Sequence, residues 1–157
     1  PPCPHTTLFR SDGDHILFAT ATDTAGNESL ASVTLTITVD TGLPAAPSIT
    51  DFDVDTNVDT DNITSDDTPT LYGTGEANAL IQIYEGTTVV GSANADGSGN
   101  WSVTTSALGD GDHILFATAT DTAGNESLAS VTLTITVRSE ERRVGKEWWS
   151  GGAAGEG

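Results

Sequence analysis

The stretch DGDHILFATATDTAGNESLASVTLTITV occurs twice in the chain without a change, as residues 12–39 and again as residues 110–137. Its last part, Thr132-Leu-Thr-Ile-Thr-Val137, alternates polar and apolar residues, which is the period of a β-strand with one buried face. The two copies are offset by 98 residues, a longer period than solenoid repeats use. We therefore predict one complete folding unit at residues 40–137, preceded at residues 12–39 by the last two strands of a truncated neighbour.

Seven segments of the complete unit have the pattern of β-strands. The first, Ser48-Ile-Thr-Asp-Phe-Asp-Val54, alternates apolar and polar residues, and the others lie near residues 68–75, 79–85, 88–95, 100–105, 112–120 and 132–137. Glycine and asparagine, which tolerate the positive φ of tight turns, separate these segments. The threonine-rich, β-branched strands argue against helices. Because an immunoglobulin-type sandwich takes ~100 residues, the sequence predicts an all-β fold, an immunoglobulin-like seven-stranded β-sandwich in tandem repeat.

The inward-facing apolar positions of these strands predict the core. Trp101 is the only tryptophan between residues 12 and 137, and it begins a strand. A large aromatic side chain at such a position is far more often part of the core than a surface for stacking a ligand. We expect it to pack with Leu71, Ile81, Ile83, Leu115, Leu133 and Ile135.

The two ends of the chain have the character of foreign sequence. Residues 6–11 can be written in codons as ACG ACG CTC TTC CGA TCT, and the reverse complement of that DNA word encodes Arg-Ser-Glu-Glu-Arg-Arg, the sequence of residues 138–143. The word resembles a sequencing adapter ligated at both ends of one read. Because processing segments and scars are set aside before a fold is interpreted, we treat residues 1–11 and 138–157 as adapter-like artefact. A surface tail rich in arginine and glutamate is the alternative.

Without these ends the charge of the chain is entirely negative. All five basic residues and the one cysteine, Cys3, lie in the ends, and so do four of the 23 acidic residues, which leaves 19 carboxylates and no lysine or arginine between residues 12 and 137. Such a surface cannot neutralise phosphates, so we expect no nucleic-acid partner. Repulsion among the carboxylates favours bound cations. The sequence has no apolar run of transmembrane length, so we expect no membrane insertion.

Four motifs, in the same order and at similar spacing, resemble the bacterial Ig-like repeats of giant surface adhesins. They are residues 61–76, DNITSDDTPTLYGTGE; residues 96–102, DGSGNWS; Gly111-Asp-His113; and residues 119–125, ATDTAGN. The resemblance implies repeats arrayed in tens on proteins that type I secretion exports to the bacterial cell surface. There the repeats extend a terminal adhesive region that serves cell adhesion and biofilm formation. The resemblance also implies that Ca²⁺ at the loops and junctions stiffens the array.

Calcium is the one ligand for which the residues themselves make a case, because Ca²⁺ takes ~6 to 8 oxygen ligands from carboxylates, carbonyls and amides. Oxygen-bearing side chains crowd the connection between the first two predicted strands. We predict two positions: a loop site with Asp59, Asp61, Asn62, Asp66 and Asp67, and a junction site between repeats with Asp40, Asp121 and Asn125. For any one of these residues a solvated turn or strand cap is the simpler interpretation.

The sequence contains no recognisable set of catalytic residues. No nucleophile elbow or ordered base appears, and His15 and His113, which share one repeat position, are expected to be surface or cap residues. We therefore expect a non-enzymatic spacer whose partners are neighbouring Ig-like repeats of the same chain, with a host or abiotic surface bound through other domains. The alternatives are an accessory Ig-like domain of a secreted polysaccharide-degrading enzyme, and a carbohydrate-binding module, which would need a planar strip of exposed aromatic residues.

Overall fold

The computed structural model describes residues 11–53 and 61–138, which form ten β-strands and no helix. Consequently, within these two ranges, the chain has no helix of the length and apolar character that crossing a membrane requires. The chain divides into two compact units, Pro1–Leu43 and Pro44–Gly157. Among the described residues, two strands lie in the first unit and eight lie in the second.

The first unit is a β-hairpin. Its strands β1 (Gly13–Leu17) and β2 (Leu35–Val39) pair antiparallel, from Gly13 opposite Val39 to Leu17 opposite Leu35. Two serines brace the long connection between the strands. The backbone N–H of Ala21 donates to the Ser29 hydroxyl at 2.9 Å, and that of Ala19 donates to the Ser32 hydroxyl at 3.0 Å. The hairpin is therefore held by bonds within its own sequence.

The second unit is a two-sheet sandwich. Its strands are β3 (Ser48–Phe52), β4 (Ile63–Thr64), β5 (Thr70–Thr74), β6 (Leu80–Glu85), β7 (Thr88–Asn94), β8 (Asn100–Thr104), β9 (Gly111–Thr120) and β10 (Leu133–Val137). One sheet has the order β4-β10-β9-β6-β7 and the other has the order β3-β5-β8. The buried apolar cluster takes residues from both sheets, so their inner faces pack against each other. The all-β sandwich predicted from the sequence is confirmed.

Seven of these eight strands lie where the alternation of residues predicts them. The eighth, β4, is the exception, and it raises the strand count of the complete unit above the predicted seven. It pairs with β10 in parallel, with Ile63 opposite Thr136 and Thr64 opposite Val137. A strand of two residues is too short to show any period, which is why the sequence pattern did not reveal it.

The core contains the predicted residues with one qualification. Leu71, Ile81, Ile83, Leu115 and Ile135 are fully buried, and Trp101 is nearly so. Leu133 is only partly buried and packs against the cluster from its margin. Burial of each large aliphatic side chain contributes roughly 1.5–3 kcal/mol relative to leaving it exposed. Because residues 12–137 contain no disulfide and no lysine or arginine, we infer that this apolar cluster is the main source of the domain's stability.

Gly73 in β5 is the point at which the core requires a residue without a side chain. The Trp101 ring, from the neighbouring strand β8, lies directly over Gly73. A Cβ at this position would collide with the Trp101 ring and with the Ser48 carbonyl oxygen. Gly73 and Thr74 thus belong to β5, and Gly75 follows directly after it, so this glycine pair is not a phosphate-binding loop at a helix start.

The chain enters and leaves the second unit at opposite ends of the sandwich. Ser48 pairs with Thr74, at the end where Thr120 pairs with Leu80, whereas Val137 pairs with Gly111 at the other end of β9. The ten residues of β9 span about 30 Å at ~3.3 Å per residue. Successive copies of such a unit would therefore follow one another along the long axis.

Candidate functional site

The predicted calcium loop is only partly covered by the described residues. Asp59 lies outside them, whereas Asp61, Asn62, Asp66 and Asp67 lie within them. Asp61 accepts a hydrogen bond from the backbone N–H of Ile63 at 3.1 Å. Asn62 has a φ of 56°, and its carbonyl accepts the N–H of Thr136 at 2.8 Å. These two residues therefore form the turn into β4 and attach it to β10.

Asp66 and Asp67 form the turn that leads from β4 into β5. A carboxylate oxygen of Asp66 accepts the backbone N–H of Thr68 at 2.9 Å and the Thr68 hydroxyl at 3.1 Å. The backbone carbonyl of Asp67 accepts the N–H of Leu108 at 2.7 Å. The Asp67 side chain lies on the exposed surface. Asp66 thus has the role of a turn cap, which was the simpler of the two sequence interpretations.

The junction residues Asp121 and Asn125 form a closed loop of their own. One carboxylate oxygen of Asp121 accepts the N–H of Ala123 at 2.8 Å and that of Asn125 at 2.9 Å. The other oxygen accepts the Asn125 side-chain amide at 2.8 Å. The bond from the Asn125 side chain contributes most to holding the pKa of Asp121 below its ordinary value, with the backbone N–H groups adding to it against a desolvation cost.

The same loop occurs three times in the described residues, each time with the sequence Asp-X-X-Gly-Asn. The copies begin at Asp23, Asp96 and Asp121, and in each the Asp carboxylate binds the backbone N–H two and four residues later. The glycine takes a positive φ, 96° at Gly124, which permits the tight closure. The pKa of each of the three carboxyl groups is lowered. The motif was visible in the sequence as a turn, but its carboxylate is shown here to be a cap.

The remaining junction residue, Asp40, belongs to the first unit. Its carboxylate accepts the backbone N–H of Gly42 at 3.0 Å, just after β2. Over residues 11–53 and 61–138, no three His, Cys, Asp or Glu side chains converge closely enough to hold a metal ion. Ca²⁺ also uses carbonyl and amide oxygens. The loop site and the junction site therefore both stay predictions.

His113 makes a contact that the sequence did not predict. Its Nδ1 lies 2.7 Å from a Glu85 carboxylate oxygen, and its Nε2 lies 2.7 Å from the Gly109 carbonyl oxygen. The side chain is only 12% exposed, and its contact with the Gly109 carbonyl fits the cap, rather than the surface residue, of the two roles expected from the sequence. Both ring nitrogens face acceptors, and only the protonated ring can donate to both.

The charge state of His113 follows from these contacts. Burial by itself lowers the pKa of the ring, but the hydrogen bonds to Gly109 and Glu85 and the charges of Glu85 and Asp112 outweigh it. The pKa of His113 is therefore raised above its ordinary value. His15 keeps the equivalent carbonyl contact, with Nε2 at 2.8 Å from the Ser11 carbonyl oxygen.

Of the five aromatic residues within 44–53 and 61–137, two are buried, two are partly buried and one is exposed. Phe52 and Trp101 are buried, and Tyr84 stacks on Phe116 with ring centroids 5.3 Å apart. Tyr72, 41% exposed, lies at the edge of a shallow surface depression and is the one exposed aromatic side chain in residues 44–53 and 61–137. These described residues therefore do not form the planar aromatic strip that a carbohydrate-binding module would need.

Comparison with known proteins identifies the domain. Residues 44–137 match the family model described as bacterial Ig-like domain. Two solved structures are similar. The BSP domain of a biofilm associated protein has 17% identity and a TM-score of 0.44, and the match covers 81% of this chain and 19% of the BSP chain. The D00-D0 domain of intimin has 23% identity and a TM-score of 0.35, and the match covers 80% of this chain and 66% of the intimin chain. The chain thus spans about a fifth of the first structure and about two thirds of the second. Comparison with curated protein sequences gives no match. Because the family match covers more than half of its residues, the chain belongs to the bacterial Ig-like domain family.

Proposed function

We propose that this chain is a non-enzymatic spacer, an Ig-like repeat of a large extracellular adhesin on the bacterial cell surface that serves cell adhesion and biofilm formation. One observation carries the proposal: the 28 residues 12–39 recur unchanged at residues 110–137, in a family of Ig-like domains. An identical sequence at a domain-length period is the signature of a repeat array. Type I secretion is the proposed export route, and the surface is bound through other domains.

The geometry of the sandwich supports a role as an extended spacer. The chain enters beside Ser48 and leaves at Val137, at opposite ends of a unit whose longest strand spans about 30 Å. Domains joined in this way add their lengths instead of folding back on one another. An array of them would hold a terminal binding region far from the cell.

Calcium is the proposed stiffener. Residues 12–137 carry 19 carboxylates with no lysine or arginine, so solvent, salt or bound cations must relieve their repulsion. A carboxylate has about four lone-pair sites, so Asp66 and Asp121 can cap a turn and still offer an oxygen to a cation. We assign the loop site to Asp59, Asp61, Asn62, Asp66 and Asp67 and the junction site to Asp40, Asp121 and Asn125.

Small-angle scattering on a chain that carries residues 40–137 twice in succession tests the proposal. With about 1 mM Ca²⁺, in the range of extracellular calcium modules, we expect a maximum dimension near two sandwich lengths and a narrow distribution. With chelator we expect a shorter mean dimension and a broad distribution. Equal scattering in both conditions would contradict calcium stiffening, and Mg²⁺ at the same concentration controls for ionic strength.

Two matched variants separate the two sites. Asp40→Asn with Asp121→Asn removes junction charge and should abolish the effect of calcium on the shape of the two-repeat chain. Asp61→Asn with Asp66→Asn removes loop charge and should abolish any calcium-dependent rise in the melting temperature of a single repeat. The wider proposal is tested by the uninterrupted reading frame. Many further repeats beside type I export genes support it, and an adjoining hydrolase domain would overturn it.

A further inference from the structure

The hairpin β1–β2 has an apolar face that nothing in the first unit covers. Leu17 lies opposite Leu35 on this face; Leu17 is partly exposed, Leu35 is 61% exposed and Ile37 is 36% exposed. In the second copy of the same sequence, the equivalent Leu115 and Ile135 are fully buried and Leu133 packs against the core. The side chains that complete a sandwich core in one copy thus lie at the surface in the other.

This face has the shape that the core strands accept. In both copies the strand register is the same, with Gly13 opposite Val39 in the first and Gly111 opposite Val137 in the second. The serine bonds that brace the connection are also the same, at 2.9 Å from Ala21 to Ser29 and from Ala119 to Ser127. The first hairpin therefore presents the same side chains on the same backbone frame.

We propose that the hairpin β1–β2 binds the strands of residues 44–109 of a second copy of this chain, in the place that β9 and β10 otherwise occupy. In that place β1 and the residues after it would pair with β6, as Ile81 now pairs with Ala119, and β2 would pair with β4, as Thr64 now pairs with Val137. His15 would take the contact that His113 makes with Glu85. The occupant is thus chemically defined: a sheet edge and core of this chain's own sequence.

The segment that joins the hairpin to the second unit is too short for the hairpin to replace β9 and β10 of its own chain, so the hairpin would bind a second molecule. To replace β10 in its own chain, Val39 would have to lie where Val137 lies, about 30 Å from the end at which Ser48 begins β3. Val39 and Pro44 are five residues apart and can span at most ~18 Å. Pro44 and Pro47 are buried in the second unit, so residues 44–47 cannot extend the reach without being unpacked.

The resident hairpin has the advantage in the unaltered chain. The two hairpins are identical in sequence, so exchange would replace each side-chain packing interaction with an equivalent one and leave the packing energy unchanged. The resident hairpin is joined directly to β8, which gives it a high effective concentration. Exchange should therefore become dominant when β9–β10 is damaged and β1–β2 is intact.

Matched substitutions in the full chain test this. Leu115→Asp with Ile135→Asp places two charges in the core and disables the second hairpin. Leu17→Asp with Ile37→Asp makes the same changes in the first hairpin, outside the sandwich, and should leave a monomer that melts like the unaltered chain. The four substitutions together disable both hairpins and should abolish cooperative unfolding.

The first variant is decisive. We expect it to keep a cooperative thermal transition, to show at least a twofold rise in mass by light scattering, and to melt at a temperature that increases with protein concentration. If it is as unfolded as the fourfold variant, or if it folds as a monomer at every concentration, the proposal is wrong.

A disulfide establishes the register of binding. Thr118 lies opposite Gln82 between β9 and β6, so Thr20, its equivalent in the first copy, should lie opposite Gln82 of the second molecule. Thr20→Cys with Gln82→Cys, added to the Leu115→Asp and Ile135→Asp background together with Cys3→Ser, should give covalent dimers on oxidation, because such paired positions are within disulfide distance. The same pair added to the fourfold variant should not. Equal cross-linking in the two backgrounds would show random association and overturn the proposal.

Discussion

The two copies of residues 12–39 differ only in their surroundings, and this separates what the sequence does locally from what partner strands do. The local bonds are the same in both. The Thr38 hydroxyl donates to Asp14 at 2.6 Å and the Thr136 hydroxyl donates to Asp112 at 2.7 Å. The two Asp-X-X-Gly-Asn loops close through equivalent hydrogen bonds. Hairpin geometry is thus encoded within the 28 residues.

The partner strands determine strand length and burial. β1 ends at Leu17 after five residues, whereas β9 continues to Thr120 for ten because β6 pairs with its second half. Ile37 is 36% exposed, and its equivalent Ile135 is fully buried. A repeat of this kind therefore forms its hairpin alone but acquires a core only from the strands with which the hairpin pairs.

The largest difference in stability between the two copies should appear when the matched isoleucine, Ile135 or Ile37, is replaced by alanine. Ile135→Ala removes a fully buried side chain and should cost about 2–5 kcal/mol of the domain's free energy of unfolding. Ile37→Ala, at the matched position, should stay within about 0.5 kcal/mol of the unaltered chain. Chemical denaturation followed by circular dichroism measures both. Equal losses would mean that the first hairpin contributes to the domain core.

A smaller difference in stability should appear when the serine that braces the connection between the hairpin strands, Ser127 or Ser29, is replaced by alanine. The Ser127 hydroxyl accepts the buried N–H of Ala119 at 2.9 Å and donates to the Leu128 carbonyl at 2.8 Å. Ser127→Ala leaves that N–H unsatisfied and should cost about 1–3 kcal/mol. Ser29→Ala breaks the equivalent bond to Ala21 at an exposed site, where water can replace it. The same denaturation experiment should find no change in the domain for Ser29→Ala, and a matching loss there would argue against this account.

The smallest difference between the two copies should be in how the stability of the domain depends on pH. Because the pKa of His113 is raised in the folded state, its contribution to stability is complete below the unfolded value of ~6.5 and is lost as the pH rises through the folded value. The melting temperature should therefore fall as the pH rises above the unfolded value of ~6.5. His113→Gln should remove this slope, Glu85→Gln should reduce it, and His15→Gln should leave it unchanged. A slope that persists in His113→Gln would assign it to another group.

Most of the fold could be predicted from the sequence, because alternation and turn residues are local signals. They located seven strands and the residues that surround Trp101. The two-residue β4 could not be found, since its pairing with β10 joins residues about 70 positions apart and leaves no local period. The partial exposure of Leu133 likewise depends on how the sheets pack at the margin of the core.

The polar contacts were less predictable than the core. The pair of His113 and Glu85 depends on the register of β6 against β9, which no local pattern specifies. Asp121 and Asn125 did carry a signal, because their loop sequence also occurs at residues 23–27 and, with the same spacing, at residues 96–100. The recurrence of the same capped loop at residues 96–100, outside the predicted junction set, indicates a cap more directly than a metal ligand. Whether the capped carboxylates also bind calcium depends on oxygens that the sequence does not position.

Native-state hydrogen exchange tests the central claim most directly, which is that identical hairpins gain their stability from the strands they complete. NMR is the suitable method, because peptides from the two copies have the same mass, whereas their resonances can be assigned from the different residues that flank them. We predict that the amides of β9 and β10 exchange only through global unfolding, and that the matched amides of β1 and β2 exchange orders of magnitude faster through local opening. Equal protection of the two copies would contradict the account.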